Sequence, residues 1–94
     1  MKVSFSEAAA QDVVRLRLFL EPVAPGASRK AVSAILDGCQ SLANFPAKGS
    51  LRKDGSRQLV IRFGASAYLA RYRINADNDE VVILRVRHGR EAEM

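Results

Sequence analysis

Between Arg57 and Ile74 the chain places four arginines, Arg57, Arg62, Arg71 and Arg73, in strand-like sequence without a single Asp or Glu. The last strand-like run adds Arg85 and Arg87, followed by His88 and Arg90. A guanidinium holds carboxylate and phosphate alike through paired N–H donors. The pattern therefore predicts unpaired cations on a surface that takes an anion, either a nucleic acid or an acidic protein segment. His88 is the only histidine. Its imidazole could act as general acid or base in RNA cleavage, with Arg87, Arg90 and the loop residue Lys53 supplying positive charge. The competing reading gives His88 a local hydrogen bond at a strand end. The acids of this half stand at its margins: Asp54 in a loop, Asp77, Asp79 and Glu80 at a turn, Glu91 and Glu93 in the tail.

These residues need a scaffold, and the composition limits its size. Ninety-four residues, 48% hydrophobic and 27% charged, suit one globular domain over 1–94 with one modest core. The net charge of +5 favours an acidic partner. A single cysteine, Cys39, excludes an internal disulfide and a cysteine zinc cluster. No metal or cofactor is expected. No stretch has the apolar length of a membrane span, and the expected location is the cytoplasm.

The elements follow from periodicity. Lys2–Phe5 reads as a short strand. Ser6 is placed to cap a helix whose apolar stripe is Ala9, Val13, Leu16 and Leu20, and which Pro22 stops. Pro25 can open a second helix with Val32, Ile35, Cys39 and Leu42 on its apolar side, ended by Phe45-Pro46. Ala47–Ser56 is expected to be a polar, mobile loop. Three strands follow, Arg57–Phe63, Ala67–Asn75 and Glu80–His88, joined by turn-sized links into an antiparallel meander. The fold class is α+β: a helical hairpin on a small, mainly antiparallel four-stranded sheet.

Strict alternation along these strands predicts two faces. Leu59, Ile61, Phe63, Tyr68, Ala70, Tyr72, Ile74, Val82, Leu84 and Val86 should meet the helices. Val60, Arg62, Leu69, Arg71, Arg73, Val81, Ile83, Arg85 and Arg87 should face outward. A purely solvated face has no need of the aliphatic half, so the outer face is the expected partner-binding site.

The element order and several motifs resemble the RelE/ParE superfamily of bacterial toxin–antitoxin systems. The resemblance runs from Val3 to Arg90. It rests on Phe5, Ala9, Asp12, Val13, Leu16 and Phe19; on Leu42, Phe45-Pro46 and Gly49; on Val60, Ile61, Phe63 and Gly64; and on Tyr68 with the segments RYRI and VVILRVRHGR. It implies a toxin neutralised by a cognate antitoxin, whose acidic, disordered C-terminal segment folds across the protein.

Within the superfamily, RelE-like members cleave mRNA in the ribosome and ParE-like members poison DNA gyrase. The RelE-like pattern has an arginine directly after the middle-strand tyrosine, where this chain has Leu69, and a tyrosine near the C-terminus, where it has none. The ending ILRVRHGR is closer to the ParE branch. The resemblance thus implies a non-catalytic gyrase poison with no catalytic residues. The alternatives are a ribosome-dependent mRNA endonuclease using His88, Arg87, Arg90 and Lys53, and a non-toxic basic binding module.

Overall fold

The structure, a computed structural model, describes residues 1–91; the tail acid Glu93 lies outside them. Strand β1 (Lys2–Phe5) leads into helix α1 (Glu7–Leu20), and α2 (Pro25–Gln40) returns beside it. Strands β2 (Ser50–Leu51), β3 (Arg57–Phe63), β4 (Ser66–Asn75) and β5 (Glu80–His88) follow. The sheet order is β1-β5-β4-β3-β2. β1 lies parallel to β5, and every other pairing is antiparallel. The sheet thus has five strands rather than four. The additional strand falls inside the stretch expected to be a mobile loop. There Arg52 N–H donates to Ser56 O at 2.8 Å. The Ser56 N–H and hydroxyl both donate to Asp54 Oδ1, at 2.9 and 2.6 Å. Gly55 supplies the positive φ of 87° that this tight β2–β3 turn requires.

Both ends of α1 and the start of α2 take their expected limits from local chemistry, whereas α2 stops at Gln40, ahead of the expected Phe45-Pro46, and gives way to a 3-10 turn over Ser41–Ala43 that carries Leu42. Ser6 Oγ accepts the Ala9 N–H at 3.0 Å and donates to Leu84 O at 2.9 Å, capping α1 and tying it to β5. Pro25 stands in the first turn of α2. Ala9, Leu16, Ala31, Ile35, Cys39 and Leu42 are buried against Leu59, Ile61, Tyr68, Ala70, Tyr72 and Val86 of the sheet. Val32 is only half-buried at the margin of the α2 stripe, and Ser28 and Ala31 take the inner positions. Cys39 is fully enclosed, and burial pushes its thiol up to about 12, so it packs as a small core side chain.

Strand β5 departs from strict alternation. Tyr72 faces Ile83 and Arg71 faces Arg85, so Leu84 and Arg85 together oppose one residue of β4. This is a β-bulge, and it reverses side-chain parity on its two sides. Val81 and Ile83 are therefore core residues at 0% exposure, and not part of the outer face. Val82 and Leu84, expected in the core, are half-buried and do not join the core cluster. Val86, beyond the bulge, is in the core as expected.

Two polar contacts lock this arrangement. Asp12 of α1 is buried at 4% exposure and faces β5 where β1 no longer covers it. Its Oδ2 accepts the Val86 N–H at 2.9 Å and Arg85 Nε at 2.8 Å, while Oδ1 accepts Arg85 Nη2 at 3.1 Å. Arg15 adds a third donor at 3.5 Å. Burial alone would raise the Asp12 carboxyl, but the hydrogen bonds from Arg85 and Val86 and the charges of Arg85 and Arg15 hold it below the usual range. At the opposite end, Tyr72 donates its hydroxyl proton to Pro46 O at 2.7 Å and accepts the Gly49 N–H at 2.8 Å. A Cβ at Gly49 would lie 2.7 Å from the Tyr72 ring and hydroxyl and 2.9 Å from Gln58 O.

Gly49→Ala should therefore destabilise the fold by about 1–3 kcal/mol, read as a lower midpoint in urea. Asp12→Ala should cost about 1–3 kcal/mol, because it leaves the buried Val86 N–H without its acceptor. Since the folded state depresses the Asp12 pKa, its contribution is complete above the ordinary carboxylate range and is lost as pH falls through the folded value. Thermal unfolding followed from neutral to acid pH should show a smaller drop for Asp12→Asn than for the parent chain.

Candidate partner-binding site

The helices cover one face of the sheet and leave the other open. On the open face β3 contributes Val60, 49% exposed, and Arg62; β4 contributes Leu69, Arg71 and Arg73; β5 contributes Val82, Leu84 and Arg87. The bulge thus exchanges one aliphatic pair for another: Val82 and Leu84 take the places that alternation gave to Val81 and Ile83. An aliphatic group beside arginines persists, with different members.

The arginines are not equivalent. Arg62 is exposed and has no ion pair or hydrogen bond among the described residues. Arg71 is half-buried between Gln58 and Arg85 of the neighbouring strands. Arg73 reaches Asp54, with Nη1 donating to its backbone oxygen at 3.2 Å and Nη2 lying 3.7 Å from its carboxylate. Asp54 stays below the usual carboxylate range chiefly through the two hydrogen bonds from Ser56, with Arg73 and Arg71 adding to the effect. Arg85 curls over the β5 edge onto Asp12, whose hydrogen bonds raise its pKa further. The expectation of unpaired guanidiniums therefore does not hold for the set: Arg71 is not free, and Arg85 and part of Arg73 are paired. For Arg85 and Arg73 an acid from a distant element supplies the partner. Arg87 donates to Glu91 O at 2.8 Å, which leaves its charge unbalanced.

A concavity of about 590 Å³ opens on the helix side, where the hairpin tip overhangs the β3–β4 turn. Leu16, Phe19 and Leu20 of α1 form one wall; Phe63, Tyr68 and His88 form the other. Phe19 is 77% exposed. Sequence periodicity missed this groove because Phe19 lies off the core stripe. The signal was an aromatic residue beside that stripe in the last turn of a helix. The C-terminal turn closes one end: His88 N–H donates to Glu91 Oε1 at 2.7 Å, and Arg15 pairs with Glu91. Tyr68 has its hydroxyl pKa raised by burial and, secondarily, by the Glu91 charge.

The four residues considered for RNA cleavage are not assembled. His88 lies in the groove, edge-on to Tyr68 with ring centroids 5.3 Å apart, and its Nδ1 accepts the Arg90 N–H at 3.1 Å. Arg90 lines the same groove. Arg87 pairs across from Leu69 on the opposite face. Lys53 belongs to the β2–β3 turn, at the Arg73 end of β4, whereas His88 pairs with Tyr68 at its other end. Five residues of strand separate these ends, roughly 16 Å at the usual rise. Leu69 stands where the RelE-like pattern has an arginine.

Among the described residues, no helix is long and apolar enough to cross a membrane. The family model described as "ParE toxin of type II toxin-antitoxin system, parDE" matches residues 3–93. The chain is 35% identical over 89 residues to a protein of Caulobacter vibrioides named Toxin RelE3, covering 95% of each. Its fold matches a chain in a chromosomal ParDE toxin–antitoxin structure from P. aeruginosa, with a TM-score of 0.78, 23% identity and coverage of 94% and 95%. It also matches a chain in the RelBE2 toxin–antitoxin complex from Mycobacterium tuberculosis, with a TM-score of 0.64, 26% identity and coverage of 96% and 92%. A two-helix hairpin on a mixed five-stranded sheet, matched along nearly its whole length by one family, places this chain in the ParE toxin family of type II toxin–antitoxin systems.

Proposed function

We propose that the protein acts in the cytoplasm as a growth-inhibiting toxin that poisons DNA gyrase without cleaving nucleic acid, and that a cognate antitoxin neutralises it. The observation that carries this reading is the dispersal of its candidate catalytic groups. Cleavage of RNA by its own 2′-OH needs a base for the hydroxyl, cations at the phosphorane and an acid for the leaving oxygen, all around one phosphate. Here the histidine lies in one groove, the lysine at the far end of the sheet, and an aliphatic side chain at the centre of the open face. The family match to ParE toxins points the same way. The relative named RelE3 favours the second reading, ribosome-dependent mRNA cleavage.

The antitoxin is proposed to be acidic and disordered before it binds. Its apolar residues would bury against Val60, Leu69, Val82 and Leu84, and its carboxylates would pair with Arg62, Arg71, Arg73 and Arg87. Val81 and Ile83 lie beneath this surface and act through the core. Arg85, held by Asp12, would meet the antitoxin with a charge already balanced. The two toxin–antitoxin complexes with the same fold support a protein partner of this kind.

Purified protein added to gyrase should inhibit supercoiling and accumulate cleaved DNA, while ribosomes given the protein should leave mRNA intact. Specific mRNA cuts with unaffected gyrase would establish the second reading instead. His88→Ala should keep toxicity on induced expression within a few-fold, whereas a general acid or base would cost on the order of 10²–10⁴. Leu69→Asp should weaken binding of the cognate antitoxin by at least about tenfold in calorimetry without lowering the thermal midpoint.

A further inference from the structure

We propose that the sheet edge from Phe45 to Arg57 is a contact for single-stranded DNA. The choice of DNA over RNA rests on the gyrase reading; the contact itself rests on the following geometry. Phe45 and Leu51 are 64% and 66% exposed, two large apolar side chains that the core does not use. Lys48, Arg52, Lys53 and Arg57 are interleaved with them along the same edge. Arg57 Nη1 donates to Ala47 O at 3.3 Å and Gly49 O at 2.9 Å, and Arg52 donates to Gln58 Oε1 at 3.1 Å. The neutral backbone oxygens fix the Arg57 guanidinium in place without cancelling its charge.

The one acid within Phe45–Arg57 is Asp54, which already accepts Ser56 and lies beside Arg73. Asp77 and Asp79 sit on the separate β4–β5 link. Two shallow depressions follow the edge, one lined by Phe45, Pro46 and Lys48, the other by Leu51, Arg52 and Lys53. Backbone phosphates would run along the cations and a base would stack on the Phe45 ring, the combination that holds unpaired strands. A base paired in a duplex has no free face for that ring. Lysines on a sheet edge also discourage pairing with other sheets. If that were their whole role, affinity for DNA would follow net charge wherever the charge is placed.

Anisotropy of a labelled oligothymidylate, titrated with the full chain in the absence of gyrase, separates the two. Lys48→Glu with Lys53→Glu should weaken binding at least about tenfold and flatten the salt dependence by about one to two in log–log slope. Arg29→Glu with Lys30→Glu, the same charge change on exposed α2 positions, should cost less than about twofold. Phe45→Ala should cost roughly tenfold with the salt slope unchanged. Equal losses in the two double variants, tighter binding of duplex than of single strand, or preference for oligouridylate would overturn the proposal. Binding by this edge in a chain that leaves gyrase untouched would keep the contact and remove the gyrase reading. Gyrase poisoning by a chain that binds no oligothymidylate would remove the contact alone.

Discussion

One buried carboxylate decides how the last strand sits. Beyond Ile83, β5 has lost its parallel neighbour, and a backbone N–H there would be left facing an apolar helix. Asp12 supplies the acceptor, and Arg85 and Arg15 balance the charge it brings into the interface. Each group would be costly alone, and together they satisfy one another. The bulge belongs to the same arrangement. By giving Leu84 and Arg85 one opposing residue, it brings the Arg85 side chain to the edge where Asp12 waits, and it puts Val86 N–H within reach of the same carboxylate.

The binding surfaces inherit their shape from this junction. Without the bulge, Val81 and Ile83 would face solvent and the helices would pack on Val82 and Leu84. With it, the open face keeps an aliphatic group and four arginines, of which Arg62 is the most available for a partner. Arg15 extends the network to Glu91, which in turn holds the turn that closes the groove beside Tyr68. Helix α1, strand β5 and the groove are thus linked through two arginines, Arg85 and Arg15, and two acids, Asp12 and Glu91.

Much of this was readable in the sequence. Ser6, Pro22, Pro25 and the alternation of Arg57–Phe63 are local signals, and the elements they predict form within a residue or two. What escaped was non-local. A bulge has no signature in LRVR, because each residue there suits either face; only pairing with β4 and the acid on α1 decide. Strand β2 hid in a polar stretch, since two residues show no periodicity and its support comes from an aspartate–serine turn. Arg85 and Arg73 read as free because their acids, Asp12 and Asp54, lie far away in the chain. The groove went unseen because it is a gap between elements rather than a property of any one.

The placement of β1 carries a consequence for how the molecule comes into being. Its first strand has a single sheet neighbour, the last strand, with Lys2 set against Glu80 across nearly the entire chain. A nascent chain emerging from the ribosome holds both helices long before it holds the strand that joins them to the sheet. Asp12, likewise, meets Val86 and Arg85 only after α2 and strands β2 to β4 have been made. Every product that stops short of β5 lacks the seam that joins β1 and α1 to it, so the assembled surface exists only in chains that extend through β5.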